Sequence, residues 1–204
     1  MRRLFATALL AAFVAGNGLA AGDGSDRFHS PTAGLAFVKP PQWVFASLAS
    51  LQTNRDNIRL ADAELERLMK ERGTPPLAAA MRYPEPHPDL NPSFQIGLRP
   101  LGELEGKSAN EILELLLPGL LRIADDAKVV RPVEGISVSG LPAARAGFEY
   151  TLRTVDGGAF PTRSDIVIIP RGRFMFMVGS GRKPDDSASA GEIETILTSL
   201  VIDP

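Results

Sequence analysis

Residues 142–180 constrain the fold more than any other stretch: they read as three strands in a row, separated by turn residues and closed by a final helix. Phe148, Tyr150 and Leu152 alternate with Glu149, Thr151 and Arg153, and that period of two belongs to a strand with one buried face. Asp156-Gly157 follows, a pair suited to positive φ at both centres of a tight hairpin. The next strand is expected over 162–169 and ends in Ile166-Val167-Ile168-Ile169; Pro170-Arg171-Gly172 turns the chain into Phe174-Met175-Phe176-Met177-Val178. Both runs are apolar on both faces, so the meander needs cover on each side, and helices supply it most simply. Gly179-Ser180-Gly181 lacks the spacing of a phosphate loop and reads as the end of the third strand. A closing helix carries Ile193, Ile196, Leu197 and Leu200 on one stripe, and Ser189 with Glu192 fits a capping box.

At the other end, Met1-Arg2-Arg3 precedes an apolar run from Leu4 to Val14, and small residues offer cleavage sites near Ala21. This is the pattern of a secretory signal peptide, 1–21, and it is short of the ~20 residues that span a bilayer. The expected mature protein is periplasmic or secreted, with no transmembrane span. Losing Arg2 and Arg3 moves the formal charge from −2 to −4; that mild acidity argues against a nucleic-acid partner. The chain has no cysteine, which removes disulfides, thiol catalysis and thiolate metal sites. Gly22 to Thr32 is polar and glycine/serine-rich and is expected to be a flexible lead-in, 22–32, before one domain at 33–204.

Within that domain Gly34 to Val38 reads as a strand that stops at Pro40-Pro41. Trp43, the single tryptophan, is either a buried plug beside this proline turn or an exposed platform for carbohydrate or lipid. Residues 44–57 are ambiguous; 59–72 has helical spacing, with Glu66 and Lys70 paired one turn apart. Strands are expected at 77–83 and 93–99 around a proline-rich loop, and short ones at 128–131 and 136–138. Ser108 and Glu111 form a capping box at the head of a further helix. There Ile112, Leu115, Leu116, Leu120 and Ile123 form one apolar set and Leu113, Leu117 and Leu121 a second. Pro118 sits between them and is expected to kink or break the helix. So wide an apolar arc means either burial on two sides or an open groove for a lipid tail or a partner peptide; Leu113, Leu117, Leu121 and Trp43 are then the candidate contacts.

Catalytic equipment is thin. Of two histidines, His29 lies in the lead-in and His87 in Glu85-Pro86-His87-Pro88-Asp89. Those three side-chain types suit a metal, and His87 with Asp89 suits a hydrolase, but a stiff proline loop has its own reasons to be polar. Gly135-Ile136-Ser137-Val138-Ser139-Gly140 misses the nucleophile elbow by one glycine and reads as a turn beside a strand. Arg171, Arg173, Arg182 and Lys183 form a basic group that is either a solvated rim or a surface for an acidic partner or anionic headgroup. No cofactor and no catalytic residue is assigned, and no oligomeric state is legible.

The order of these elements resembles the PsbP-like superfamily, which includes small exported bacterial proteins. The resemblance rests on Phe37-Val38-Lys39-Pro40-Pro41-Gln42-Trp43, a later capped helix, the meander Phe148–Leu152, Asp165–Ile169 and Phe174–Val178, and the helix from Ile193 to Leu200. It implies an α+β fold, a central antiparallel sheet with helices on both faces in an α/β/α sandwich. It also implies mainly non-catalytic relatives: photosystem assembly subunits, a Ran-binding import factor, envelope proteins and chaperone-like modules. The resulting expectation is an exported non-catalytic binding or assembly module of the cell envelope, with an envelope protein or a lipid as partner. An exported hydrolase and a carrier holding an amphiphile along the 112–123 helix are the alternatives.

Overall fold

A computed structural model describes residues 26–203; the expected signal peptide, 1–21, lies outside the described residues. The elements in chain order are β1 (Arg27–Ser30), β2 (Leu35–Val38), β3 (Val44–Phe45), α1 (Leu48–Asn57), β4 (Ile58–Arg59), α2 (Ala63–Arg72), β5 (Ala78–Met81) and β6 (Ser93–Pro100). Then follow α3 (Ala109–Leu120), β7 (Lys128–Val138), β8 (Leu141–Thr154), β9 (Ala159–Arg171), β10 (Phe174–Arg182), α4 (Ser187–Thr198) and β11 (Val201–Ile202). The large sheet is antiparallel in the order β3-β5-β6-β10-β9-β8, with β7 and β4 sharing the outer edge of β8. A small sheet, β1-β2-β11, lies apart from it.

The meander is present and longer than the apolar runs that announced it. Because successive side chains alternate, β9 and β10 serve two cores at once. Val167, Ile169, Phe176 and Val178 face one side, where Ile193, Ile196 and Leu197 of α4 meet Phe28, Leu35 and Phe37 of the small sheet. Ile166, Ile168, Met175 and Met177 face the other, beneath Ile112, Leu113, Leu116 and Leu120 of α3. On that second side α1 also covers the far strands, Leu51 packing with Ala79 and Met81. The α+β sandwich is therefore covered on both faces.

Local capping follows the sequence in one helix and shifts in another. Ser108 Oγ accepts from the Glu111 amide while Glu111 accepts from the Ser108 amide, so α3 starts on a complete capping box. α4 instead starts at Asp186, whose carboxylate accepts from Ser189 N–H (2.9 Å). Ser189 is fully buried, three residues past the cap rather than at it, and Glu192 is left free for other bonds. Pro118 does not break α3; the helix runs on to Leu120 and tightens into a 3-10 turn at Leu121–Ile123.

Four more expectations are corrected by pairing. Arg27–Ser30, inside the expected mobile lead-in, is a strand against β2, anchored by buried Phe28 packed at a tilt on Phe37 (5.3 Å between centroids). The two short strands expected at 128–131 and 136–138 are one strand, β7, with register shifts on either side of Arg131. Asp156-Gly157 belongs to a loop of residues 155–158 in which Gly157 alone takes positive φ; the two-residue turn with positive φ at both centres is Ser139-Gly140, with φ of 52° and 77°. Finally, β10 does not end at Gly179 but continues through Ser180 and Gly181 to Arg182. Among the described residues no helix is long and apolar enough to cross a membrane.

The two faces of α3 give a direct check. Leu113 is 0 % exposed and Leu115 is 55 % exposed. Leu113→Ala is expected to destabilise the protein by about 2–5 kcal/mol, whereas Leu115→Ala stays within about 0.5 kcal/mol, as read from urea unfolding midpoints.

Candidate functional site

The α3 face of the sheet is not filled evenly, and the cause can be followed strand by strand. On β10 the side chains facing this side are Met175, Met177, Gly179 and Gly181; on β9 they are Ile168, Ile166, Ser164 and Thr162. On β6 they are Gln95 and Ser93, and on β8 Phe148, Tyr150 and Leu152. The two central strands β9 and β10 thus pass from bulky apolar residues to glycine or hydroxyl at a similar height, and β6 presents Gln95 and Ser93 beside them. The register aligns these changes: Ala79, Gln95, Gly179 and Ile166 form one cross-strand row, and Met81, Ser93, Gly181, Ser164 and Phe148 the next. Small and polar residues give the helices nothing to pack on, so a recess remains where α3 ends.

The recess has a volume of about 740 Å³, within the range of small-molecule sites. Its floor is the two rows just described together with Thr162 and Tyr150; its apolar walls include Leu51 of α1, Met69 of α2, Leu60, and Leu120 and Ile123 at the end of α3. The proline loop 85–91 borders it on one side and the β8–β9 hairpin on the other. A second, smaller recess of about 500 Å³ lies along α2, lined by Arg59, Glu66, Lys70 and neighbours that already pair with one another.

The floor is uncharged. Tyr150 hydroxyl lies 3.4 Å from Ser164 Oγ, and withdrawal from water pushes its phenol pKa up, so it stays protonated. Thr162 donates to Phe160 carbonyl (2.8 Å). Gln95 Oε1 is buried and accepts no hydrogen bond among the described residues. The charged residues of the lining are engaged elsewhere. Glu85 accepts from the His87 amide (2.8 Å) and from Asn91 Nδ2 (2.9 Å). Asp89 takes a bond from Lys183, which holds its carboxyl below the usual range. Asp156 accepts from Thr154 Oγ1, which lowers its pKa as well. Arg59 leans on Glu66 (3.4 Å). Asp165 turns to the opposite face of the sheet, where Arg131 (3.0 Å) and Arg163 (3.3 Å) reach its Oδ1. That cluster lies over Gly147, where a Cβ would stand 2.5 Å from Asp165 Oδ1 and 2.6 Å from an Arg163 nitrogen; glycine is needed there for space.

Of the candidate site residues singled out in the sequence, Glu85, His87 and Asp89 stand at the rim of the recess, and the others fall elsewhere. Trp43 is 1 % exposed, in the core under α4, and its indole N–H donates to Glu192 (2.9 Å). Glu192 also accepts from Gln42 (2.6 Å) and pairs with Arg82 (3.2 Å). Leu113 is sealed against the sheet, because the α3 arc is wide enough to pack on β7, β8 and β9 together. Neither can offer surface to a partner. Leu117 and Leu121 are half-buried against the same core. His87 stacks on Tyr83 (4.6 Å, 15°), and among the described residues no hydrogen bond joins its ring to Asp89 or to a serine. Arg171 donates to the carbonyls of Ala33 and Asp203 and lies over Phe176; Arg182 donates to those of Lys183 and Pro184. The recess itself was missed. Its signal was present as the switch from methionine and isoleucine to glycine and hydroxyl on neighbouring strands, but only the pairing register reveals that the switches coincide.

Comparison with known proteins bears on the fold. No family model matches the chain, and no curated protein does. Solved structures do. The solution structure of cyanobacterial PsbP (CyanoP) from Synechocystis sp. PCC 6803 matches with a TM-score of 0.52 and 12 % identity, covering 92 % of this chain and 98 % of that one. LpqN of Mycobacterium tuberculosis, described as involved in cell envelope biogenesis, matches with a TM-score of 0.50 and 14 % identity over 90 % of this chain and 88 % of that one. The chain has a PsbP-like fold.

The rim is open to test. Lys183 and Asp89 tie the proline loop to the end of β10. The lowered Asp89 pKa means that this tether is in place above the usual carboxylate range and is lost as pH falls through the folded value. Lys183→Met is expected to speed amide hydrogen exchange over 87–91 severalfold at neutral pH, with the core strands unchanged; in the unmodified protein acidification should narrow the difference from the variant.

Proposed function

We propose that the chain is an exported, non-catalytic binding module of the cell envelope that takes a small ligand into the recess between the sheet and the ends of α1 and α3. One observation carries this reading: a recess of about 740 Å³ floored by uncharged hydrogen-bonding side chains and walled by apolar ones. Such a lining orients a ligand without supplying an acid, a base or a nucleophile with an activating partner. The charged residues at its rim support the same view, since each already bonds to a protein group. The hydrolase alternative is less well supported, because His87 stacks on Tyr83 and Asp89 is spent on Lys183. Export is supported by the pattern of residues 1–21, and an envelope role by the description of LpqN.

The test is native mass spectrometry of the protein taken gently from its own cell envelope, beside the variant Ser164→Phe. Ser164 is half-buried in the floor, so phenylalanine there fills the recess while leaving strand propensity intact. The wild type is expected to carry a small-molecule adduct that the variant lacks. A wild type that arrives bare, or a variant that keeps the adduct, would overturn the assignment of the recess.

A further inference from the structure

Resting on the binding reading above, we propose that the recess selects an uncharged amphiphile: a neutral hydroxyl- or amide-bearing head seated over Gly179 and Gly181 of β10, and an apolar chain held between α1 and the end of α3. The head position follows from the two glycines. Both lie inside a paired strand, at ordinary strand φ, on the face that opens into the recess. Glycine weakens a strand, and within one it marks a place where another group comes close to the backbone. A Cβ at Gly181 would stand 3.4 Å from Ser93 Oγ and 3.9 Å from Ser164 Oγ; one at Gly179 would stand 3.3 Å from Gln95 Nε2 and 3.5 Å from Gln95 Cγ. A ligand atom at either position therefore comes within reach of a hydroxyl or a carboxamide on the neighbouring strands. Gln95 has bonding capacity left, since its Oε1 has no hydrogen-bond partner among the described residues.

The absence of charge on this floor decides the class of head. Ser93, Gln95, Ser164, Thr162 and Tyr150 are all neutral, and the raised phenol pKa keeps Tyr150 so across the physiological range. Among the described residues Arg59 is the one lysine or arginine of the lining, and it pairs with Glu66. Among the described residues an anionic head would meet only Arg59, whose guanidinium already pairs with Glu66. A cationic one would have to draw Glu85, Asp89 or Asp156 away from its present bonds. Either ion would lose its hydration against a floor that cannot pair with it. The apolar part of the ligand is set by Leu51, Leu60, Met69, Leu120 and Ile123, which stand above the glycine rows rather than among them. Polar floor and apolar wall together match a molecule with two unlike ends.

Three probes with one chain length isolate the head: 1-monomyristoylglycerol, myristate and tetradecyltrimethylammonium, each titrated below its aggregation concentration into the full mature protein by calorimetry. The glycerol ester is expected to bind at least tenfold more tightly than either ion. Gly181→Val should weaken the ester at least tenfold with no loss of thermal stability, since valine suits a strand and its Cβ has room. Gln95→Leu, which keeps the volume and removes the amide, should weaken the ester and leave the ions unchanged. Equal binding of ester and ion, or an unaffected Gly181→Val, would overturn this inference and leave the binding module standing. If no probe binds while the native protein carries an adduct, the ligand class is wrong and the recess is right. If no probe binds and no adduct is found, both readings fall.

Discussion

Everything in this structure depends on the hydrogen-bonded register of β6, β10, β9 and β8. Antiparallel pairing fixes which residues stand side by side, and alternation fixes which face each one serves. With Phe176 opposite both Ile169 and Leu98, and Met177 opposite both Ile168 and Gly97, the two faces of the sheet are specified together. A slip of one residue would send the aromatic row into the α3 core and the methionines under α4. Such a slip is strongly disfavoured because both faces are buried. The outer elements follow: α4 and the small sheet close one side, and α1, α2 and α3 cover the other.

The same register makes the recess. Where the rows contain isoleucine and methionine, α3 packs down on them and Leu113 and Leu116 are excluded from water. Where the rows turn to Gln95, Gly179, Gly181 and Ser164, there is too little apolar surface to draw a helix down, and space is left. The opposite face meets the polar end of these strands differently: Arg131, Arg145 and Arg163 gather around Asp165, above Gly147. One side thus carries an ion network centred on Asp165 and the other a neutral hollow with room for a ligand.

Much of the fold was legible from local pattern. Period-two alternation at Phe148, Tyr150 and Leu152, the two-faced runs in β9 and β10, and the Ser108–Glu111 box all speak through near neighbours in the chain. What could not be read depends on distant partners. Arg27–Ser30 looks polar and loose, yet it is held by Phe28 against Phe37. Asp186 displaced Ser189 as the cap of α4 because Ser189 is buried where it bonds Arg82 (2.8 Å). Leu113 looked available for a partner because sequence gives the width of an apolar arc and not how many strands it lies across; of the two readings open for Trp43, the buried plug is the one found. Gly179-Ser180-Gly181 looked like an ending because glycines usually punctuate; pairing with Ser93–Gln95 and Ser164–Ile166 carries the strand through it.

The sequence by itself determined the antiparallel meander, the helices that close it, the poverty of titratable catalytic groups and the absence of thiol chemistry. These are properties of residue type and short-range spacing. The tertiary structure decided the rest: that glycine and hydroxyl positions up to ninety residues apart in the chain share two cross-strand rows, and that the ends of α1 and α3 leave them uncovered. The physical reason is that a recess is defined by what fails to fill it, and that is a property of several strands in register rather than of any one of them.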